Sequence, residues 1–112
     1  MDLIIVRHGK AEDISQKPEG SDFNRSLTDE GVVQVRTMAK ILKGITKYNE
    51  YKNIRIVASS SERTMQSANN ISDILKTAEA IPYDSLYHGD YNALIPDIVS
   101  EHAEADCIIL VG

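Results

Sequence analysis

The chain opens on Leu3-Ile4-Ile5-Val6, an apolar run that breaks into Arg7-His8-Gly9 and then into a polar stretch from Lys10 to Ser26. A run of that length ending in a polar break predicts a buried strand emptying into a loop. From Thr28 the period changes. Val32, Val35, Met38, Ala39, Leu42 and Ile45 recur at helical spacing; Thr28 can cap the first-turn amides, and Asp29 and Glu30 suit the positive end of the dipole. Gly44 is the expected terminator. Ile54, Ile56, Val57 and Ala58 predict a second strand, broken by Ser59-Ser60-Ser61. Any of those serines can cap a second helix, whose stripe is Met65, Ala68, Ile71, Leu75 and Ala78. A short strand is expected at Ile81 to Tyr83, where Pro82 confines it to an edge or a strand start. A third helix follows Gly89-Asp90 with Leu94, Ile95, Ile98 and Val99 on one face, and Pro96 lies near its first turns or kinks it. Cys107 to Val111 is the strongest strand signal, and it stops at Gly112.

Strands alternating with helices imply βαβ units, right-handed crossovers and a mainly parallel sheet. The expected class is therefore α/β, a sheet between helical layers, with a strand order that the pattern leaves open. The chain has 112 residues, 42% hydrophobic and 26% charged, which suits one globular domain spanning 1–112. Its net charge of −5 disfavours nucleic acid and acidic membranes as partners, without excluding a local basic pocket. No apolar run approaches the length needed to span a bilayer, and the start lacks the basic region of a signal peptide. The single Cys107 cannot form an intrachain disulfide and reads as a small buried hydrophobe. A cytoplasmic location is the expectation that fits.

In a parallel sheet, the residues after each strand share one end of the molecule, where ligands bind in open α/β folds. After the first strand come Arg7, His8 and Gly9. After the second come Ser59 to Arg63, where a helix begins and its free amides suit a phosphate oxygen. Two arginines converging beside an imidazole would cradle a phosphate directionally, because guanidinium forks match its oxygens. Each residue also has a plainer reading. Arg63 could pair with a nearby carboxylate, His8 could be structural, and the serine run could serve only as cap and turn.

Four stretches together resemble the histidine phosphatase superfamily, the phosphoglycerate mutase-like proteins. They are the strand leading into Arg7-His8-Gly9; Arg25-Ser26-Leu27-Thr28-Asp29-Glu30-Gly31; Ser59-Ser60-Ser61-Glu62-Arg63-Thr64-Met65-Gln66-Ser67-Ala68; and Ile108-Ile109-Leu110-Val111-Gly112. The second and third carry Ser26 and Ser60 where that family has proline. The compact segment around Leu86-Tyr87 is most similar to the SixA-type phosphohistidine phosphatase branch. The resemblance implies a three-layer α/β/α sandwich and a phosphatase working through a covalent phosphohistidine on His8. Arg7 and Arg63 would neutralise the phosphoryl oxygens, with Arg25, Gly9 and Ser59 adding to the phosphate site; a surface arginine is the alternative for Arg25. It implies no metal and no cofactor, and a partner that is a phosphorylated protein (phosphohistidine) or a small phosphorylated substrate. A non-catalytic phosphate- or phosphoprotein-binding module is the competing class.

The family's second catalytic histidine follows the last strand, and this sequence ends at Gly112, immediately before that position. The expectation drawn from this is a truncated domain with part of one sheet face bare and apolar. His102 reads as a helix-packing residue and His88 as a loop residue nearer the site. For a proton donor the candidates are Asp84, otherwise a turn residue, and Asp90, otherwise the cap of the third helix.

Overall fold

A computed structural model describes residues 1–13 and 22–112; of the polar stretch, 14–21 lies outside the described residues. The elements run β1 (Asp2–Val6), a 3-10 turn (Asp22–Asn24), α1 (Asp29–Tyr48), β2 (Ile54–Ser59), α2 (Glu62–Leu75), β3 (Ile81–Tyr83), α3 (Ser85–His88), α4 (Tyr91–Glu101) and β4 (Cys107–Val111). The four strands form one sheet in the order β1-β4-β2-β3, and every pairing is parallel. β4 is central, which explains its unbroken apolar run: all five of its residues are buried. Alternation sends Cys107, Ile109 and Val111 to one face and Ile108 and Leu110 to the other.

The first face packs against α1 and α2 through Val35, Ala39, Leu42, Ala68 and Ile71. The second is covered by α3 and α4, through Leu86 and Ile98, with Ala105 after them. The result is the α/β/α sandwich, with a sheet wholly rather than mainly parallel. β3 lies at the edge, where Pro82 withholds no needed donor. At the other edge, Leu3 and Ile5 of β1 stay 36% and 61% exposed. Among the described residues, no helix is long and apolar enough to cross a membrane.

Four local expectations change. Gly44 does not end α1, which continues to Tyr48 and stops at Asn49, with Glu50 in the left-handed region at φ 57°. A single helical glycine costs about 1 kcal/mol relative to alanine, too little to stop a helix packed along its length. Ile45 is exposed, and Thr46 takes the buried position, its hydroxyl donating to the Lys43 carbonyl. α2 ends at Leu75, with Lys76 left-handed, so Ala78 lies outside the helix and exposed while Ala80 is buried. α3 was not expected, since four residues are too few to show a helical period; His88 is its last residue rather than part of a loop. Pro96 sits inside α4 and is exposed.

Candidate active site

The carboxyl edge of the sheet gathers the candidate residues. The β1–β4 pairing runs on past both strands, with the Gly112 amide donating to the Val6 carbonyl and the His8 amide donating to Gly112, both at 2.9 Å. The end of β4 therefore flanks His8. Beyond it the chain turns at Gly9, which is buried and has no room for a side chain, since a Cβ there would meet the Gly31 carbonyl oxygen at 2.4 Å. The same closeness acts at Gly31, whose Cβ would fall 2.1 Å from the Lys10 carbonyl oxygen. The segment then runs antiparallel to the entry of α1, through an Ala11–Leu27 bridge and the Thr28 amide donating to Lys10. Thr28 caps α1 as expected, accepting the Gly31 amide at 2.9 Å.

His8 is half-buried, and its Nδ1 lies 2.6 Å from the Gly9 carbonyl oxygen. A carbonyl only accepts, so this contact places the neutral ring's proton on Nδ1 and leaves the Nε2 lone pair free. Burial is the largest influence on the His8 pKa and lowers it; the Gly9 bond opposes this, and the charges of Arg63, Arg7 and Arg25 lower it further. The positive charges of all three candidate arginines thus bear on the imidazole in the same direction. Arg7 is exposed at the end of β1. Ser59 is buried at the end of β2, its carbonyl accepting the Thr64 hydroxyl at 2.8 Å.

α2 begins beside this turn. Ser61 stands at its N-cap but makes no bond to a helix amide, its hydroxyl pairing instead with that of Thr64. The first-turn amides of α2 thus have no side-chain cap. Ser67, fully buried one turn further on, accepts the Gly9 amide at 3.1 Å and donates to the Arg63 carbonyl at 2.8 Å. Nearby, Gln66 accepts the Leu27 amide at 2.7 Å. α2 therefore holds both the His8 turn and the entry to α1.

Arg63 keeps 13% of its side chain exposed and Arg25 keeps 23%. The carboxylate anticipated as Arg63's alternative partner is present: it is Asp22. Arg63 donates from Nη1 to the Asp22 carbonyl at 2.8 Å and from Nη2 to Oδ2 at 3.0 Å. Arg25 donates from Nε to Asp22 Oδ1 at 2.9 Å and from Nη1 to the Glu12 carbonyl at 3.0 Å. Tyr87, from α3, donates to Asp22 Oδ2 at 2.7 Å and lies under the Arg63 guanidinium, 6.0 Å from carbon to ring centre. Phe23 meets the same ring edge-on at 5.0 Å. The Tyr87 bond, followed by those from Arg25 and Arg63, outweighs desolvation and holds the Asp22 carboxyl at about 2. Asp22 is thus an anion at working pH, excluded as a proton donor. Two buried polar atoms near the start of α2 have no partner among the described residues: Arg63 Nε and Ser60 Oγ. A cavity of about 680 Å³ opens alongside, lined in part by Lys10, Asp22, Arg25 and Thr28.

The other candidates belong to α3, α4 and the positions that flank them. His102 is the C-cap of α4, its Nε2 2.9 Å from the Tyr83 hydroxyl, which donates to Glu101 at 2.6 Å. His88 is exposed and packs on the Tyr87 ring, at the rim. Asp90 caps α4, accepting the Asn92 amide at 3.0 Å, and exposed Asp84 precedes α3 without capping it. Among the described residues, no three of His, Cys, Asp and Glu gather as a metal-binding group would require. The sequence reading missed Asp22, Tyr87, Ser67 and Gly31 as parts of this site. Only Asp22, three residues before Arg25, left a spacing that pointed to a pair.

The profile of the histidine phosphatase superfamily (branch 1) matches residues 3–106. No curated protein sequence matches the chain. Among solved structures, the protein histidine phosphatase SixA complexed with tungstate is 26% identical, with a TM-score of 0.80, and the alignment covers 100% of this chain and 69% of that one. A candidate phosphohistidine phosphatase SixA from Agrobacterium tumefaciens is 20% identical at TM-score 0.81, covering 98% of this chain and 67% of that one. Phosphoglycerate mutase from Plasmodium falciparum is 22% identical at TM-score 0.61, covering 97% and 58%. The chain belongs to the histidine phosphatase superfamily.

Proposed function

We propose that this superfamily member is a phosphatase that accepts the phosphoryl group on His8, with phosphohistidine on a protein as its substrate. The observation that carries the reading is the His8 Nδ1 contact with the Gly9 carbonyl, which leaves Nε2 unprotonated, on a ring whose pKa three arginine charges lower. Nε2 attacks phosphorus as the bond to the leaving group breaks, and that bond's electron pair goes to the leaving imidazole. Water then attacks the phosphohistidine on His8, releasing phosphate and restoring the ring. Splitting one transfer into two lowers the barrier of each step.

Arg7 and Arg63 meet the oxygens on which charge accumulates, and Arg25 adds to the field. Arg63 Nε, buried and unpaired among the described residues, is the donor that a phosphoryl oxygen would satisfy. The uncapped amides of α2 supply further positive potential. Gly9 allows the close turn, and Ser59 ends β2 at the same edge of the sheet. The tungstate complex of the 26%-identical relative supports an oxyanion as the ligand class. With Asp22 ionised and Asp90 occupied as a cap, a donor group that leaves without strong protonation fits best, and imidazole leaves more readily than an alkoxide. The charge work rests on arginines, so the proposed reaction needs no metal and no cofactor.

The test is to react the protein with a phosphohistidine protein carrying labelled phosphate, then quench. The expected result is labelled, acid-labile protein that is absent in His8→Ala. Label that survives in His8→Ala overturns the nucleophile. Higher kcat/KM on phosphorylated metabolites than on the phosphohistidine protein overturns the substrate class. If wild type binds phosphoprotein but never acquires label, the site is a binding module.

A further inference from the structure

The two best-placed cations of the oxyanion site do not stand free: Asp22 holds both. Its Oδ1 accepts Arg25 Nε at 2.9 Å and lies 2.7 Å from Arg25 Nη2; its Oδ2 lies 3.0 Å from Arg63 Nη2; and its carbonyl accepts Arg63 Nη1 at 2.8 Å. The Tyr87 hydroxyl fixes Oδ2 from the opposite layer of the sandwich at 2.7 Å. We propose that Asp22 is a positioning residue of this site, a buckle that keeps the Arg25 and Arg63 guanidinium groups converged for an oxyanion, with Tyr87 fixing the buckle. The inference rests on the oxyanion reading above and adds to it the group that assembles the cradle.

Two guanidinium groups converging on one carboxylate repel one another, and without an anion they gain by swinging apart into water. A carboxylate bridging them removes that drive before any ligand arrives, and preorganised donors stabilise developing charge without reorganising. The pairing leaves work for the ligand. Arg63 Nε is unused by Asp22, buried and without a partner among the described residues. An exposed ion pair contributes little. This one differs in that both arginine side chains are largely enclosed, and the carboxylate joins three separate parts of the chain.

A carboxylate near an anion site could instead act only as a competitor for the arginines. The two roles give opposite signs. Removing a competitor tightens oxyanion binding, because the site gains positive charge; removing a buckle loosens it, despite that gain. Tungstate affinity should be measured by titration calorimetry for wild type, Asp22→Asn, Arg63→Gln and the double variant. The expected result is binding about tenfold weaker in Asp22→Asn, the scale of one charge-assisted bond. In the Arg63→Gln background the same change should have a clearly smaller effect, because coupled residues are non-additive. Equal or tighter binding in Asp22→Asn, or full additivity, overturns the proposal. If Asp22→Asn fails to fold by circular dichroism, Tyr87→Phe decides: binding weakened about two- to fivefold supports the buckle, and unchanged binding overturns it. Unchanged tungstate affinity in Arg63→Gln itself would instead overturn the underlying oxyanion reading.

Discussion

The Ser67 hydroxyl accepts the Gly9 amide at 3.1 Å across 58 positions of sequence, tying the turn that presents His8 to the helix that presents Arg63. The same oxygen donates to the Arg63 carbonyl at 2.8 Å, so its proton is committed and its lone pair is directed at Gly9. The turn carrying His8 and the Arg63 backbone are thereby fixed to one another through a single buried atom.

Ser67→Ala removes that atom and leaves the buried Gly9 amide without its acceptor. An orphaned buried donor costs about 1–3 kcal/mol of stability. Urea melts should register that loss. Phosphoryl transfer should fall further than the stability loss explains, because a misplaced turn misaligns Nε2. Unchanged kcat/KM in Ser67→Ala would show that the tether does not position His8.

Gly31→Ala tests the second constraint on the same turn. Its Cβ would lie 2.1 Å from the Lys10 carbonyl oxygen and 2.9 Å from the Lys10 nitrogen, both backbone atoms that cannot rotate away. The turn and α1 must separate, at a cost of about 1–3 kcal/mol or more by the scale of overpacked sites. Gly44→Ala is the control, with nothing within 4 Å of its Cβ, and should stabilise by up to about 1 kcal/mol through helix propensity. Opposite shifts in thermal midpoint are the expected outcome; shifts of the same sign would show that the close approach is not rigid.

The acid limb of the rate profile should report His8. Burial first, and then Arg63, Arg7 and Arg25, hold its pKa below the ordinary 6.5. Protonation occupies Nε2 and removes the lone pair that the proposed attack uses. A lowered pKa therefore keeps the ring active further into acid, and kcat/KM should decline only below pH 6.5. Arg63→Gln removes one of the lowering charges, so the limb should move to higher pH. A limb in the wild-type protein at or above 6.5 would contradict the burial and charge described for His8.

The strands, the caps at Thr28 and Asp90 and the candidates Arg7, His8 and Arg63 were legible because each leaves a local signal. Apolar runs, a capping side chain and a polar residue at a strand end all lie within a few positions. Asp22 and Tyr87 were not legible as a pair, being 65 positions apart and joined only once the chain folds. Ile45 failed for a related reason. It falls at the margin of the α1 stripe, where the neighbouring layer decides between it and Thr46. Composition offered no sign of the Gly9–Gly31 contact either, since a backbone approach leaves no trace in hydropathy.

Ile5 and Ile109 make the same point in energetic form. Each lies in an apolar strand, and nothing in their local sequence distinguishes them. The topology does: β4 is flanked by β1 and β2 and covered on both faces, whereas β1 is an edge with one face bare. Ile109 is fully buried in the cluster under α1 and α2, and Ile5 is 61% exposed. Ile109→Ala therefore opens a cavity in a close-packed layer and should cost about 2–5 kcal/mol. Ile5→Ala removes carbon atoms already in contact with water and should change stability by no more than about 0.5 kcal/mol. Denaturant midpoints for the two variants give the comparison directly. A loss in Ile5→Ala approaching that of Ile109→Ala would mean that the outer face of β1 is covered in solution, and sedimentation of the same samples would show whether a second copy covers it.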